Sequence, residues 1–237
     1  MRTNRFLLTI AAGFMTMAAY AQTVDEIVDK HVAALGGIDK IKAITTIVAD
    51  RSLAVNGMDI PTKTVLVVGK SVRNESTAMG NTMLQVLDGD KGWMVRPVQF
   101  GGTGEPEDLP VDQLKQLAGS LDPFGGLVNY KEKGSAVELV GKEKVDKKDV
   151  FHLKLTSKEG LVVDQFVDAN TYLINKTKVA IAGQEGQIDF SDYKEVEGVK
   201  MPYTMDIANS QMSMSFITNK LTVNSQVDEA IFKRPVK

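Results

Sequence analysis

Two hydrophobic periods divide the chain. Between Val24 and Leu35 the positions Val24, Ile27, Val28, His31, Val32 and Leu35 recur at helical spacing, and from Thr46 onward the period falls to two. The first stretch predicts an amphipathic helix. Thr23 followed by Glu26 has the form of a capping box, and Gly36-Gly37 is the expected stop. Ile38, Ile41 and Ile44 suggest a short continuation, and Asp25, Asp29 and Lys30 form a polar face suited to a helix lying on a sheet.

The period-two region predicts strands joined by short turns. Ile60, Thr62, Thr64, Leu66 and Val68 face one way, and Lys63, Val65 and Val67 the other. Val72–Met79 and Met83–Leu87 read as the next strands. Asp88-Gly89-Asp90-Lys91-Gly92 is a turn signal, after which Trp93, Val95 and Pro97 share a face. A second meander follows: Phe151–Thr156, Leu161–Asp168, Leu173–Ile181, Gln187–Tyr193, Met201–Ile207, Gln211–Ile217 and Leu221–Val223. About ten strands with turns at this spacing predict a curved antiparallel sheet and a mainly β protein with helices.

Alternation stops between Gly101 and Gly126. Gly101-Gly102-Thr103-Gly104 is a flexible lead-in, Glu105–Pro110 is acidic, and Val111, Leu114, Leu117, Ala118 and Leu121 return to helical spacing. An insertion of this size between strands is expected to cover something.

Composition narrows the function classes. Arg2 and Arg5, the uncharged run Phe6–Ala19 and Ala19-Tyr20-Ala21 together form a signal peptide over residues 1–21, with cleavage before Gln22. That run is shorter than the ~20 residues a membrane-spanning helix needs. Cleavage leaves one domain over 22–237, exported to the periplasm, with no transmembrane segment expected in the mature chain. The formal charge of −2 becomes more negative when Arg2 and Arg5 are removed, which disfavours nucleic acid as a partner. With no cysteine, the chain has no disulfide framework, thiolate metal site or cysteine nucleophile.

Stretches of the chain resemble the LolA-like and LolB-like periplasmic lipoprotein carrier superfamily, in the version common in Bacteroidetes. They are Gly141–Val145 with Val150–Leu155, Val167–Leu173, Asp192–Pro202, Ile231–Pro235, Ala34–Gly37 and the Asp88–Trp93 hairpin. The resemblance implies an incomplete, strongly curved antiparallel β-barrel, covered by an N-terminal helix and a lid helix, with an apolar cavity for acyl chains. In that family an arginine on an early strand helps hold the lid, and Arg51 falls on such a strand.

Catalytic and metal chemistry find little footing in the sequence. His31 and His152 lack a second histidine or a carboxylate at zinc-site spacing, and the glycines at 101–104 lack the lysine of a phosphate cradle. There is no Gly-x-Ser-x-Gly elbow, and Glu105, Glu107 and Asp108 read as a solvated acidic loop. No cofactor and no metal are expected, nor is an enzyme.

Apolar binding has firmer grounds. Met58, Met79, Met83, Met94, Met201, Met205, Met212 and Met214 lie in or beside strands, suiting either an adaptable cavity wall or a methionine-rich core. Met83, Trp93, Phe100, Leu114, Leu117, Phe124 and Phe216 are the residues expected to line or close a site for the acyl chains of lipids or lipoproteins. The Val111–Leu121 helix is then either a mobile lid or a fixed plug. The two functional readings are a carrier or sensor of acyl chains, with outer-membrane lipoprotein sorting as its setting and a membrane protein of the envelope as its partner, and an envelope protein-interaction module with no lipid cargo.

Overall fold

The computed structural model describes residues 22–181 and 184–235. The signal-peptide expectation falls on residues 1–21 and so lies outside them. The helix expected from the capping box is α1 (Val24–Leu35). The Thr23 hydroxyl accepts from the Glu26 N–H at 3.3 Å, and the Glu26 carboxylate accepts from the Thr23 N–H at 3.0 Å. The short continuation is α2 (Ile38–Lys42). Gly36, at φ 127°, does more than end α1: a Cβ there would lie 2.2 Å from the Gly198 carbonyl oxygen, so the missing side chain lets the helix end press against a strand turn.

The described residues form 13 strands: β1 (Thr46–Val55), β2 (Met58–Val67), β3 (Ser71–Ala78), β4 (Asn81–Asp88), β5 (Lys91–Val95), β6 (Pro106–Asp108), β7 (Ala136–Val145), β8 (Lys148–Thr156), β9 (Val162–Asp168), β10 (Ile174–Ile181), β11 (Gln184–Val196), β12 (Val199–Asn209) and β13 (Ser213–Val223). They make one antiparallel sheet in the order β6-β5-β4-β3-β2-β1-β13-β12-β11-β10-β9-β8-β7. β6 and β7 end this order as free edges, so the sheet is open. Two strands lie outside the sequence expectation. β6 is three residues long, and β7 is an edge strand that alternates between exposed and half-buried positions without fully burying any residue. A bulge between Leu139 and Gly141, together with Lys142 and Lys144, blunts that edge against further pairing.

The order reveals two meanders joined at one seam. β1 through β6 run outward in one direction, the chain crosses to the far edge, and β7 through β13 run back until β13 pairs with β1. The crossover contains α3 (Val111–Gly119), and it traverses one face of the sheet. Its Leu109, Leu117 and Val128 share a core with Leu35 of α1, Ile41 of α2 and the strand residues Ile47, Leu66, Val72, Leu87 and Met201. Further along, Leu127 joins Ile27 and Val28 of α1 over Phe151, Leu153, Leu155 and Val167. The insertion between strands does cover something: the helix-bearing face.

The opposite face has its own small core. Val65, Val86 and Trp93 pack against Phe232 from the C-terminal tail, and the Trp93 indole donates to the Phe232 carbonyl at 3.0 Å. α3 reaches the sheet because β5 carries a glycine. A Cβ on Gly92 would meet Leu114 and Leu109 side chains at 2.5 and 2.7 Å.

Candidate functional site

Strand register dictates what the helix-bearing face offers. Because side chains alternate, residues paired across strands share a face and form rows across the sheet. One row runs Ile47, Leu66, Val72 and Leu87, and it is buried beneath the helices. The next runs Ala49, Thr64, Asn74 and Gln85. A third runs Thr218, Arg51, Thr62, Ser76 and Met83. The outermost contains Met205, Phe216, Leu53 and Ile60. Two polar rows are therefore held between an apolar floor and an apolar rim.

A cavity of about 460 Å³ lies against this face. Its walls come from β1, β2 and β3 on one side of the seam and from β11, β12 and β13 on the other, with Gln85 of β4 contributing. Ser120, Asp122 and Pro123, just after α3, close it from above. The volume falls within the ~300–1,000 Å³ typical of small-molecule sites. A second cavity of about 210 Å³ adjoins the first, sharing Pro123, Phe190, Met201 and Pro202 with it.

The polar rows are partly satisfied internally. The Thr64 hydroxyl donates to Asn74 Oδ1 at 2.8 Å, and Gln85 Nε2 donates to Gln113 Oε1 of α3 at 3.2 Å. Lys133 holds Asp122 at 2.6 Å and the Gly125 carbonyl at 3.0 Å, pinning the turn that roofs the cavity. Arg51 is different. Its guanidinium is largely buried in the cavity wall, and its Nε has no partner among the described residues. Desolvation depresses its pKa.

The second cavity also carries unmatched polar atoms. His31 is 1% exposed, and its Nδ1–H donates to the Tyr172 carbonyl at 2.8 Å. That bond leaves Nε2 as an acceptor without a partner, and Gln165 Oε1 in the same cavity also lacks one. Burial lowers the His31 pKa, only partly opposed by the Tyr172 carbonyl, so the ring is neutral. Tyr172 is held in place by Asp168, which accepts from the N–H groups of Asn170 and Thr171 at 2.9 Å each and from Asn175 Nδ2 at 3.1 Å. Burial alone would raise the Asp168 pKa, yet these donors bring it below the usual carboxylate value.

The expected site residues are dispersed. Arg51 and Phe216 line the larger cavity, and Phe124 lines the smaller. Met83 is half-buried in the row of Arg51. Leu114 and Leu117 pack into the core beneath α3, and the cavity is roofed instead by the residues that follow the helix. Trp93 sits on the opposite face against Phe232. Phe100, 37% exposed in a short 3-10 turn, lines neither cavity.

Sequence reasoning missed the polar rows, because period-two alternation reveals which face a residue shares but not what lies opposite. It also treated the histidines as isolated. His31 is fully buried. His152 is half-buried between Asp164 and Glu143 at 2.7 and 3.0 Å, carboxylates supplied by the neighbouring strands β9 and β7.

An open antiparallel sheet with one helix-covered face and a cavity between them defines the LolA-like fold. The chain superimposes on a LolA superfamily protein from Nitrosomonas europaea with a TM-score of 0.58 at 14% identity, covering 90% of this chain and 98% of that one. A DUF1329 family protein from Desulfovibrio piger gives 0.60 at 15% identity, with coverage of 89% and 97%. A putative outer membrane lipoprotein-sorting protein domain from Vibrio parahaemolyticus gives 0.55 at 17% identity, with coverage of 87% and 94%. No family model matches the sequence, and no curated protein matches it.

Proposed function

We propose that this chain is a periplasmic, non-enzymatic carrier or sensor that takes acyl chains of lipids or lipoproteins into the cavity between sheet and crossover. The observation that carries this reading is the 460 Å³ space walled by both meanders, with an apolar floor and rim. Each buried methylene is worth about 0.8 kcal/mol, so one alkyl chain supplies useful affinity. The fold shared with the outer membrane lipoprotein-sorting domain supports the same cargo class. In this reading residues 1–21 export the chain, 22–237 act as one domain, and the sheet bends around its helices. The contacts of α1 with both β7 and β12 support that bend. A membrane protein of the envelope is the expected partner for handing cargo over. The blunted β7 edge favours the cavity over the sheet edges as the working surface.

The test is a fluorescent fatty acid titrated into delipidated full chain, with Ser76→Trp as the blocking variant. Ser76 lines the cavity, so the indole would occupy space the ligand needs. Affinity is expected to fall at least about tenfold, with the unfolding midpoint unchanged. A wild-type chain that binds no fatty acid, and that carries no lipid in native mass spectrometry, would overturn the reading.

A further inference from the structure

The larger cavity contains a charge with nothing to neutralise it. The Arg51 Nε is sealed from solvent without a hydrogen-bond partner, the half-buried side chain lines the cavity, and no carboxylate of the described residues forms an ion pair with it. An uncompensated buried cation is strongly unfavourable, and folded chains ordinarily supply a carboxylate or carbonyl to meet it. The acidic groups at the cavity roof and beside Arg51 in sequence are committed elsewhere. Asp122 lines the same cavity but is held by Lys133 at 2.6 Å. Asp50, the sequence neighbour, alternates to the opposite face and is exposed.

The surroundings of Arg51 say what would satisfy it. Thr62 and Ser76 continue its row across β2 and β3, and on β13 it faces Thr218, whose buried hydroxyl also lacks a partner. A guanidinium presents a planar fork matched to a carboxylate or phosphate; the Thr62 hydroxyl already donates to the Arg51 carbonyl at 3.3 Å, and the Ser76 hydroxyl in the same cavity is a further donor. Toward the strand ends the wall turns apolar through Leu53, Phe216 and Ile207. In the other direction Ile47, Leu66 and Val72, nearly inaccessible to bulk solvent, form the apolar floor of the same cavity.

We propose that Arg51 is an internal anion receptor: it binds the carboxylate or phosphate head of a single-chain amphiphile whose hydrocarbon lies along the Leu53–Phe216 rim. The head enters first and the tail points toward the hairpin tips. The assignment rests on the reading of this cavity as a lipid site and adds to it a polar end, an orientation and a class of ligand. Neutral esters and alcohols leave the guanidinium unmet and bind less well.

The experiment titrates delipidated full chain with four ligands of equal chain length: a fatty acid, the matching alcohol, lysophosphatidic acid and lysophosphatidylcholine. Wild type is expected to prefer the fatty acid over the alcohol by about ten- to a hundredfold. Arg51→Gln is expected to remove the preference for the acid over the alcohol, and Arg51→Lys to retain part of it. The phosphate pair tells which anion the site takes. Equal binding of acid and alcohol by wild type, with neither phospholipid distinguished from the other, overturns the anion receptor and leaves the lipid cavity standing. Failure of all four ligands to bind overturns both. A measurement that needs no variant is carbon NMR of carboxyl-labelled fatty acid in the complex. Its carboxyl is expected to stay ionised well below the pH at which the free acid protonates, and unchanged titration counts against the assignment.

Discussion

Replacing Gly36 with alanine tests how α1 is seated on the sheet, and its neighbour Gly37 provides an internal control. Both have positive φ, 127° and 93°, so either substitution strains the backbone by about 1–3 kcal/mol. Only at Gly36 does the added methyl also meet an atom: it would stand 2.2 Å from the Gly198 carbonyl oxygen, whereas nothing lies within 4 Å of a Cβ at Gly37. Gly198 occupies the tight turn between β11 and β12, so the oxygen retreats only if α1 and that turn separate. Such overpacking costs about another 1–3 kcal/mol, giving a total of about 2–6 for Gly36→Ala. Urea unfolding followed by Trp93 fluorescence and far-ultraviolet circular dichroism measures both variants. The slope with denaturant should not change. If the two variants lose the same stability to within about 0.5 kcal/mol, the contact with Gly198 is not what fixes the helix end.

Two further outcomes follow from burial on either face. Phe232→Ala should destabilise the fold by about 3–5 kcal/mol and shift the emission of Trp93 to the red, while a fatty-acid probe in the cavity on the other face binds as before; unchanged emission would place the tail elsewhere. The second concerns pH. The His31 pKa is lower in the folded chain than its unfolded value of about 6.5, so the unfolded chain binds more protons as pH falls. The stability due to neutral His31 is complete above that value and declines as pH drops toward the folded pKa. Asp168 adds a loss of the same sign in more acidic solution, as pH falls below its unfolded value and through its depressed folded one. Denaturant midpoints from pH 8 to 5 should therefore fall in wild type and flatten in His31→Asn, and an unaltered slope in the variant would acquit His31.

Local signals were read correctly wherever their cause is local. The Thr23–Glu26 cap, the glycine stop after Leu35 and the alternation of Ile60 through Val68 all depend on neighbours in sequence, and each appears as expected. Trp93 shows where such reading ends. Its strand and its facing pattern were legible, but the partner that decides between cavity and outer face is Phe232, far along the chain. The same holds for His152, whose carboxylates arrive from adjacent strands, and for Arg51, whose isolation is a property of everything around it. β7 escaped notice for a different reason: an edge strand buries too little to impose a strong pattern.

The seam between β1 and β13 bears on how the molecule comes into being. Contacts between distant parts of a chain close late, because bringing the ends of a long loop together costs entropy before any contact rewards it. The first strand of this sheet has its neighbour in β13, far along the chain, and the cavity is walled from both sides of that join. A chain in which β1 and β13 have not yet paired therefore has two separate ribbons and no cavity between them. The cavity is necessarily a property of the completed sheet, absent from either half alone.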